Sequence, residues 1–169
     1  MKRKKLLLYL VLFCGILSCK QGKTSQTTTA PYIPQNLKQS VVYDSSDLFD
    51  KDEEFDLSQK IIQFEKATTN QAVVLTIDSI PSSINIQEYG TKVANTWGIG
   101  QKDKDNGLLI TISKYQRQVA ISTGLGTEQT ISDYECKVII DKIMIPHFKE
   151  NNYFEGVDRA LDSLFLLWD

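Results

Sequence analysis

Oxygen-bearing side chains stand at three places where the sequence turns between apolar runs. The side chains are Asp44, Asp47, Asp105, Asn106 and Glu128. The first two flank a pair of serines, the next two immediately precede a glycine and an apolar run, and Glu128 follows a glycine-rich turn. Carboxylate and amide oxygens are the ligands that calcium and magnesium take from proteins. The residue types therefore indicate divalent-cation chemistry, with calcium preferred and magnesium as the alternative, if the fold brings them together.

The segment DKDNG, which begins at Asp103, resembles the start of an EF-hand loop but has the wrong register. An EF-hand needs glycine at its sixth position and a bidentate glutamate at its twelfth. Counted from Asp103, the glycine is fifth and the twelfth residue is Lys114. A cation site here would need oxygens from separate segments, with Gly107 letting the backbone pass close to the ion. The alternative is a solvated acidic loop in which Asn-Gly makes a turn.

Hydrophobic periodicity and capping residues predict the elements that must position these side chains. The predicted helices cover about 51–67, 86–97, 133–146 and 154–167, and the predicted strands cover 71–78, 107–113 and 118–124. Asp50 with Glu53 and Ser132 with Glu135 form capping-box patterns, and Asn85 precedes a third such helix start. Pro146 should strain the end of the helix that Ser132 opens.

Alternating helices and strands predict an α/β fold, a three-layer α/β/α sandwich with a small mixed sheet and flanking helices. The first two predicted strands should be parallel, and the second and third should form an antiparallel hairpin. This arrangement places Asp105 and Asn106 beside Glu128 and puts Asp78 at the opposite sheet end. Asp44 and Asp47 would join the group if the N-terminal segment covered the same end.

The first residues indicate export and lipid attachment. A basic start, a short apolar run and small residues are typical of a secretory signal peptide over 1–18. The ending Ile16–Cys19 resembles a bacterial lipobox, which would make Cys19 a lipid anchor. The outer membrane is favoured over the inner membrane as the site of attachment. An uncleaved membrane anchor is the alternative. The polar stretch 19–39 reads as a flexible tether, and 40–169 as the folded domain.

Charge and reactive side chains exclude several classes of function. Removal of residues 1–18 leaves 15 basic and 21 acidic residues, a net charge of −6, which argues against nucleic-acid binding. Cys136 is the only remaining thiol and reads as buried packing, and His147 is the only histidine, so zinc sites and Ser-His catalysis are disfavoured. GLGTEQ, which begins at Gly124, is too short a match for a phosphate-binding loop.

Three segments together resemble the TPM domain family. They are WGIGQKDKDNGLLI from Trp97, QVAISTGLGTEQTISD from Gln118 and IIDKIMIPHFKENNYFEG from Ile139, and the resemblance extends from about 41 to 164. The resemblance implies an α/β/α sandwich. It also implies an association with calcium, and relatives that include plant photosystem II repair proteins described as acid phosphatases, receptor-associated proteins and bacterial envelope proteins.

We therefore expect a periplasm-facing lipoprotein that is attached to the membrane through Cys19. It would bind calcium at one end of the sheet and act as a binding or assembly module for an envelope protein partner. Two alternatives remain open at the level of sequence: a metal-assisted acid phosphatase that uses the same carboxylates, and an interaction domain without a metal ion.

Overall fold

The computed structural model of the protein describes residues 32–168. The predicted signal peptide, Cys19 and the first part of the predicted tether lie outside the described residues. The elements are β1 (Val42–Asp44), α1 (Lys51–Thr68), β2 (Gln71–Ile77), α2 (Ile86–Trp97), β3 (Gly107–Ser113), β4 (Gln118–Thr123), α3 (Asp133–Ile139), a π-helical segment (Ile140–Met144), α4 (Ile145–Lys149) and α5 (Tyr153–Trp168). Within this range, no helix is both long enough and apolar enough to cross a bilayer.

The four strands form one mixed sheet in the order β1-β2-β3-β4. β1, β2 and β3 are parallel, and β4 returns antiparallel beside β3. The predicted parallel pair and hairpin are therefore confirmed, and β1 adds a parallel strand at the sheet edge. The starts of β2 and β3 and the end of β4 lie at one end, which we call the loop end.

Helices cover both faces of the sheet, which confirms the predicted α/β fold. Leu108 and Ile110 of β3 face the larger core, which includes residues of α1 and α5 such as Leu57 and Leu161. Leu109, which points to the opposite face, packs in a smaller core with residues of α2. Because helices cover both faces of the sheet, the sequences of β2 and β3 are nearly continuous apolar runs, in which apolar and polar residues do not alternate.

Side-chain caps determine where the helices begin. The Asp50 carboxylate accepts hydrogen bonds from the backbone N–H groups of Asp52 and Glu53, and the Glu53 side chain accepts one from Asp50 N. Ser132 and Glu135 form the same reciprocal pair, and Asn85 caps α2. Each cap satisfies N–H groups that lack a partner within the helix, as the sequence pattern predicts.

Pro146 divides the third predicted helix instead of only straining its end. The chain passes from α3 through the π-helical segment into α4, with Pro146 in the first turn of α4. Proline has no N–H and its ring clashes with the carbonyl four residues earlier, so an α-helix cannot continue through it unchanged. The π-helical turn before Pro146 shifts the hydrogen-bond register by one residue, so that Ile145 N donates to the Ile140 carbonyl five residues earlier.

Residues 32–34 contact the domain, although they lie in the stretch for which the sequence predicts a tether. The Tyr89 hydroxyl donates a hydrogen bond to the Tyr32 carbonyl at 3.0 Å, and Trp97 Nε1 donates one to the Pro34 carbonyl at 2.8 Å. Ile33 packs against the smaller core. We call residues 32–34 the strap. The strap thus contacts α2 through the Ile33 side chain and two backbone carbonyls, at the end of the stretch for which the sequence predicts a tether.

Candidate functional site

Two loops at the loop end of the sheet interlock through glycines. Their residues are 98–106, between α2 and β3, and 124–130, after β4; we call them the glycine loops. A Cβ on Gly126 would lie 1.9 Å from the Lys104 carbonyl oxygen, and one on Gly124 would lie 2.2 Å from that of Asp105. A Cβ on Gly107 would lie 2.3 Å from the Ile99 carbonyl oxygen. These glycines therefore let backbone pack on backbone, and Gly107 makes room for a carbonyl group rather than for an ion.

The Asn106 side chain links the first glycine loop to the turn between α1 and β2, and it is not a free ligand. Its side chain is buried, and its Oδ1 accepts a hydrogen bond from Gln101 N at 2.8 Å. Its Nδ2 donates to the Thr69 carbonyl at 2.9 Å and to Asn70 Oδ1 at 3.0 Å. The amide oxygen and nitrogen are both satisfied inside the protein. The expectation that Asn106 supplies an oxygen to a cation does not fit this arrangement.

Asp105 and Glu128 are brought to neighbouring positions of the backbone. The Asp105 carbonyl accepts hydrogen bonds from Gly126 N at 3.1 Å and from Thr127 N at 3.4 Å. The buried Thr127 hydroxyl donates to the Gly107 carbonyl at 3.0 Å, which ties the second loop to the start of β3. Both acidic side chains are exposed, and in the described part of the chain neither takes part in a salt bridge.

Asp44 and Asp47 lie at the opposite end of the sheet. β1 is parallel to β2 and pairs Asp44 with Thr76, near the end of β2, so the chain leaves β1 away from the loop end. The Asp44 carboxylate accepts hydrogen bonds from Leu48 N at 2.9 Å, Phe49 N at 2.8 Å and the Thr76 hydroxyl. It thus orders the turn before α1. The predicted convergence of three acidic segments is wrong.

The remaining acidic residues do not form a larger metal cluster. Among residues 32–168, no group of three His, Cys, Asp or Glu side chains is placed to hold a metal ion. Asp105 and Glu128 are the two predicted ligands that share one end of the sheet, and other oxygens would have to complete the coordination of an ion.

One family model covers most of the chain. The model of the TPM domain matches residues 42–166.

The protein belongs to the TPM domain family.

This TPM domain is similar to solved structures of bacterial proteins. The N-terminal domain of a P. gingivalis protein has 28% identity and a TM-score of 0.70, with coverage of 76% of this chain and 82% of that chain. The BA42 protein of Bizionia argentinensis has 18% identity and a TM-score of 0.63, with coverage of 74% and 88%. The N-terminal domain of a Corynebacterium glutamicum protein has 13% identity and a TM-score of 0.61, with coverage of 82% and 88%. The last two show a shared fold alone.

No curated protein sequence matches this TPM domain significantly. The glycines of the glycine loops lie in the sequence segments that resemble the TPM domain family. Their contacts give them a packing role that applies whether or not an ion binds nearby.

The single thiol of the described residues is not placed for chemistry. Cys136 lies in the larger core and is 5% exposed. Burial, followed by the nearby Asp133 carboxylate, raises the pKa of the Cys136 thiol to about 11. The thiolate is the reactive form of cysteine, so this side chain stays protonated and unreactive near neutral pH. The structure fits the predicted packing role.

Sequence reasoning missed the strap. Tyr32 and Ile33 stand between prolines in a segment otherwise rich in Thr, Ser and Gln. Flexible polar segments are usually poor in aromatic and β-branched residues. The presence of such residues in this segment is therefore a sequence signal for local docking.

Proposed function

We propose that this TPM-domain protein is a lipid-anchored binding module of the bacterial cell envelope whose glycine loops hold calcium or magnesium. The observation that supports the proposal is that the backbone segments carrying Asp105 and Glu128 are hydrogen-bonded to each other. The Asp105 carbonyl bonds directly to the turn that carries Glu128. The two exposed carboxylates are thus carried by backbone segments that are hydrogen-bonded to each other.

The ligand number favours a site with open coordination positions. Calcium takes six to eight oxygen ligands, and two carboxylates supply at most four. Water or the carboxylates of a partner protein would fill the other positions. Such an ion binds weakly to the isolated domain and more tightly in a complex, which is the behaviour expected of an assembly module.

Membrane attachment through Cys19 is the second part of the proposal. It is based on the signal-peptide pattern over 1–18 and the lipobox-like Ile16–Cys19. Because the strap begins at Tyr32, 12 residues lie between Cys19 and the strap. A linker of that length spans at most about 40 Å when fully extended. The module would therefore work close to the membrane surface, facing the periplasm.

Calcium titration of the purified full chain, followed by backbone amide NMR, tests the cation site. We expect shifts at Asp105, Glu128 and the glycine loops, and loss of these shifts in the double variant Asp105→Asn, Glu128→Gln. Asp47→Asn is a matched control, because Asp47 and Asp105 both have positive φ values, 48° and 47°, which asparagine tolerates. The control should bind like the unaltered protein.

Two results would each reject one part of the proposal: the first would reject the cation site, and the second would reject the role as a binding module without catalysis. One is the absence of shifts at the glycine loops, which would favour a metal-free interaction domain. The other is metal-dependent turnover of a phosphate monoester that disappears in Asp105→Asn, which would favour the phosphatase.

Intact mass tests the anchor separately. The protein from the membrane fraction should lack residues 1–18 and carry added acyl mass, and Cys19→Ser should leave the chain unacylated. An unmodified, full-length chain would contradict the lipid assignment.

A further inference from the structure

A cavity of about 630 Å³ lies at the sheet end opposite the glycine loops. It is bounded by the β3–β4 hairpin, the first turn of α2 and the chain from the π-helical segment to α5. Half-buried apolar side chains form much of its lining: Ile86, Val119, Ile140, Ile145, Phe148 and Tyr153. The volume lies within the range of about 300–1,000 Å³ that holds small organic ligands.

The charges around this cavity have one sign. Among the described residues, the charged side chains that line it are Arg117 and Lys149, and no carboxylate does so. Neither cation takes part in a salt bridge within residues 32–168. The lack of a carboxylate in the lining contrasts with the charge of the chain as a whole. The chain has 21 acidic and 19 basic residues, and six of the basic residues precede the strap. The local field therefore favours a negative group at the cavity mouth.

The apolar wall is held in place by specific packing. A Cβ on Gly156 would lie 2.7 Å from Phe148 Cε1, so the missing side chain lets the Phe148 ring lie against α5. The Phe148 and Tyr153 rings are in contact, with their centroids 4.9 Å apart. The π-helical segment contributes Ile140, and π-turns occur frequently at functional sites because they redirect side chains.

We propose that this cavity binds a small organic anion that has an apolar chain and one carboxylate or phosphate head group. The apolar chain would pack on Phe148, Ile140 and Val119, and the head group would accept hydrogen bonds from Arg117 and Lys149. This site is independent of the proposed cation site, because the two lie at opposite ends of the sheet.

Ligands with the same apolar chain and different head groups test the proposal. Octanoate, octyl phosphate, octanol and octylammonium are each titrated into the purified full chain below the concentration at which they form micelles. We expect octanoate or octyl phosphate, or both, to shift the backbone amides of Val119, Ile140 and Ile145. The comparison of these two anions distinguishes a fatty-acid carboxylate from a lipid phosphate. Octanol and octylammonium should bind at least tenfold more weakly, since a charge-assisted hydrogen bond contributes about 1.5–3 kcal/mol.

Variants of the two exposed cations test the head-group contact without disturbing the core. The double variant Arg117→Asn, Lys149→Gln should weaken binding of the anion at least tenfold and leave octanol binding unchanged. Asparagine is used because Arg117 has a φ of 51°. Lys142→Gln is the control, because Lys142 is exposed on the π-helical segment and does not line the cavity.

Three results would overturn the proposal. They are equal binding of all four ligands, shifts confined to amides outside the cavity, and an unchanged affinity of the double variant for the anion that binds the unaltered protein. Binding that persists in the Asp105→Asn, Glu128→Gln variant is expected, so failure of the cation proposal does not affect this result.

Discussion

At the scale of single residues, glycines with similar sequence settings serve different physical needs. Gly98 ends α2 with a φ of 67°, and a Cβ there would meet no atom within 4 Å. Gly126 has an ordinary φ of −71°, but its Cβ position is occupied by the Lys104 carbonyl. The first glycine is required by backbone conformation and the second by the space between two loops.

This difference predicts unequal costs for the same substitution. Gly98→Ala should lower the free energy of unfolding by about 1–2 kcal/mol, the cost of a left-handed conformation for an L-residue. Gly126→Ala should cost about 3 kcal/mol, at the upper end of overpacking effects, because a backbone carbonyl must move. Urea denaturation of both variants measures the difference. Equal losses would contradict the interlocked-loop account.

Residue types and the predicted hairpin identify the candidate cation ligands only in part. Asp105, Asn106 and Glu128 are all suitable cation ligands by chemistry, and the hairpin prediction correctly brings their segments together. The Asn106 side chain is nevertheless used for internal hydrogen bonds. Sequence does not reveal this, because its partners Thr69, Asn70 and Gln101 come from two separate loops.

At the scale of elements, one of the contacts that hold the strap comes from a buried tyrosine of α2. Tyr89 is fully buried, and burial raises the pKa of its hydroxyl to about 12. In the unfolded chain a tyrosine hydroxyl titrates near its ordinary pKa of about 10. The folded state therefore holds the proton more tightly, and the stability it contributes is present below about pH 10 and is lost as pH rises through about 12.

Tyr89→Phe should remove this part of the pH dependence. At neutral pH the variant should be less stable by about 1 kcal/mol, because the hydrogen bond to the Tyr32 carbonyl is lost. Between about pH 10 and 12 its unfolding free energy should fall less steeply than that of the unaltered protein. Urea unfolding at several pH values measures both effects. Tyr134→Phe, at a side chain that is 75% exposed, serves as the control and should show no change in slope.

Helix starts were predictable from sequence, but the path of the third helix was not. A cap depends on two residues three positions apart, as Ser132 and Glu135 illustrate, so the signal is local. The response to Pro146 has several solutions, including a kink, a helix end or a π-turn. The choice depends on how Ile139, Met144 and their neighbours reach the core.

At the scale of the whole molecule, the two faces of the sheet are unequally covered. The larger core contains 19 buried residues, including residues of α1, α3 and α5, whereas the smaller core contains seven. On the smaller side α2 also covers Thr111, whose buried hydroxyl has no hydrogen-bond partner in the described chain. The α2 layer therefore buries fewer apolar residues and contributes less burial energy in total.

We expect α2 to open before the rest of the domain. In native-state hydrogen exchange, the amides of α2 should exchange through an opening with a lower free energy than that of global unfolding. The amides of β2, β3 and α5 should exchange only through global unfolding. If α2 exchanges with the same free energy and denaturant dependence as β3, the two layers unfold as one unit and the expectation is wrong.

The sequence by itself determined the order of the main helices and of β2, β3 and β4, the caps, the parallel crossover and the hairpin, because these depend on local periodicity and short-range hydrogen bonds. Only the tertiary structure decided which oxygens meet. The register of β1 places Asp44 beside Thr76 and away from the loop end, and the packing of carbonyl groups against Gly124 and Gly126 holds Asp105 near Glu128. Strand register and loop contact result from many long-range contacts at once, and no single stretch of sequence contains them.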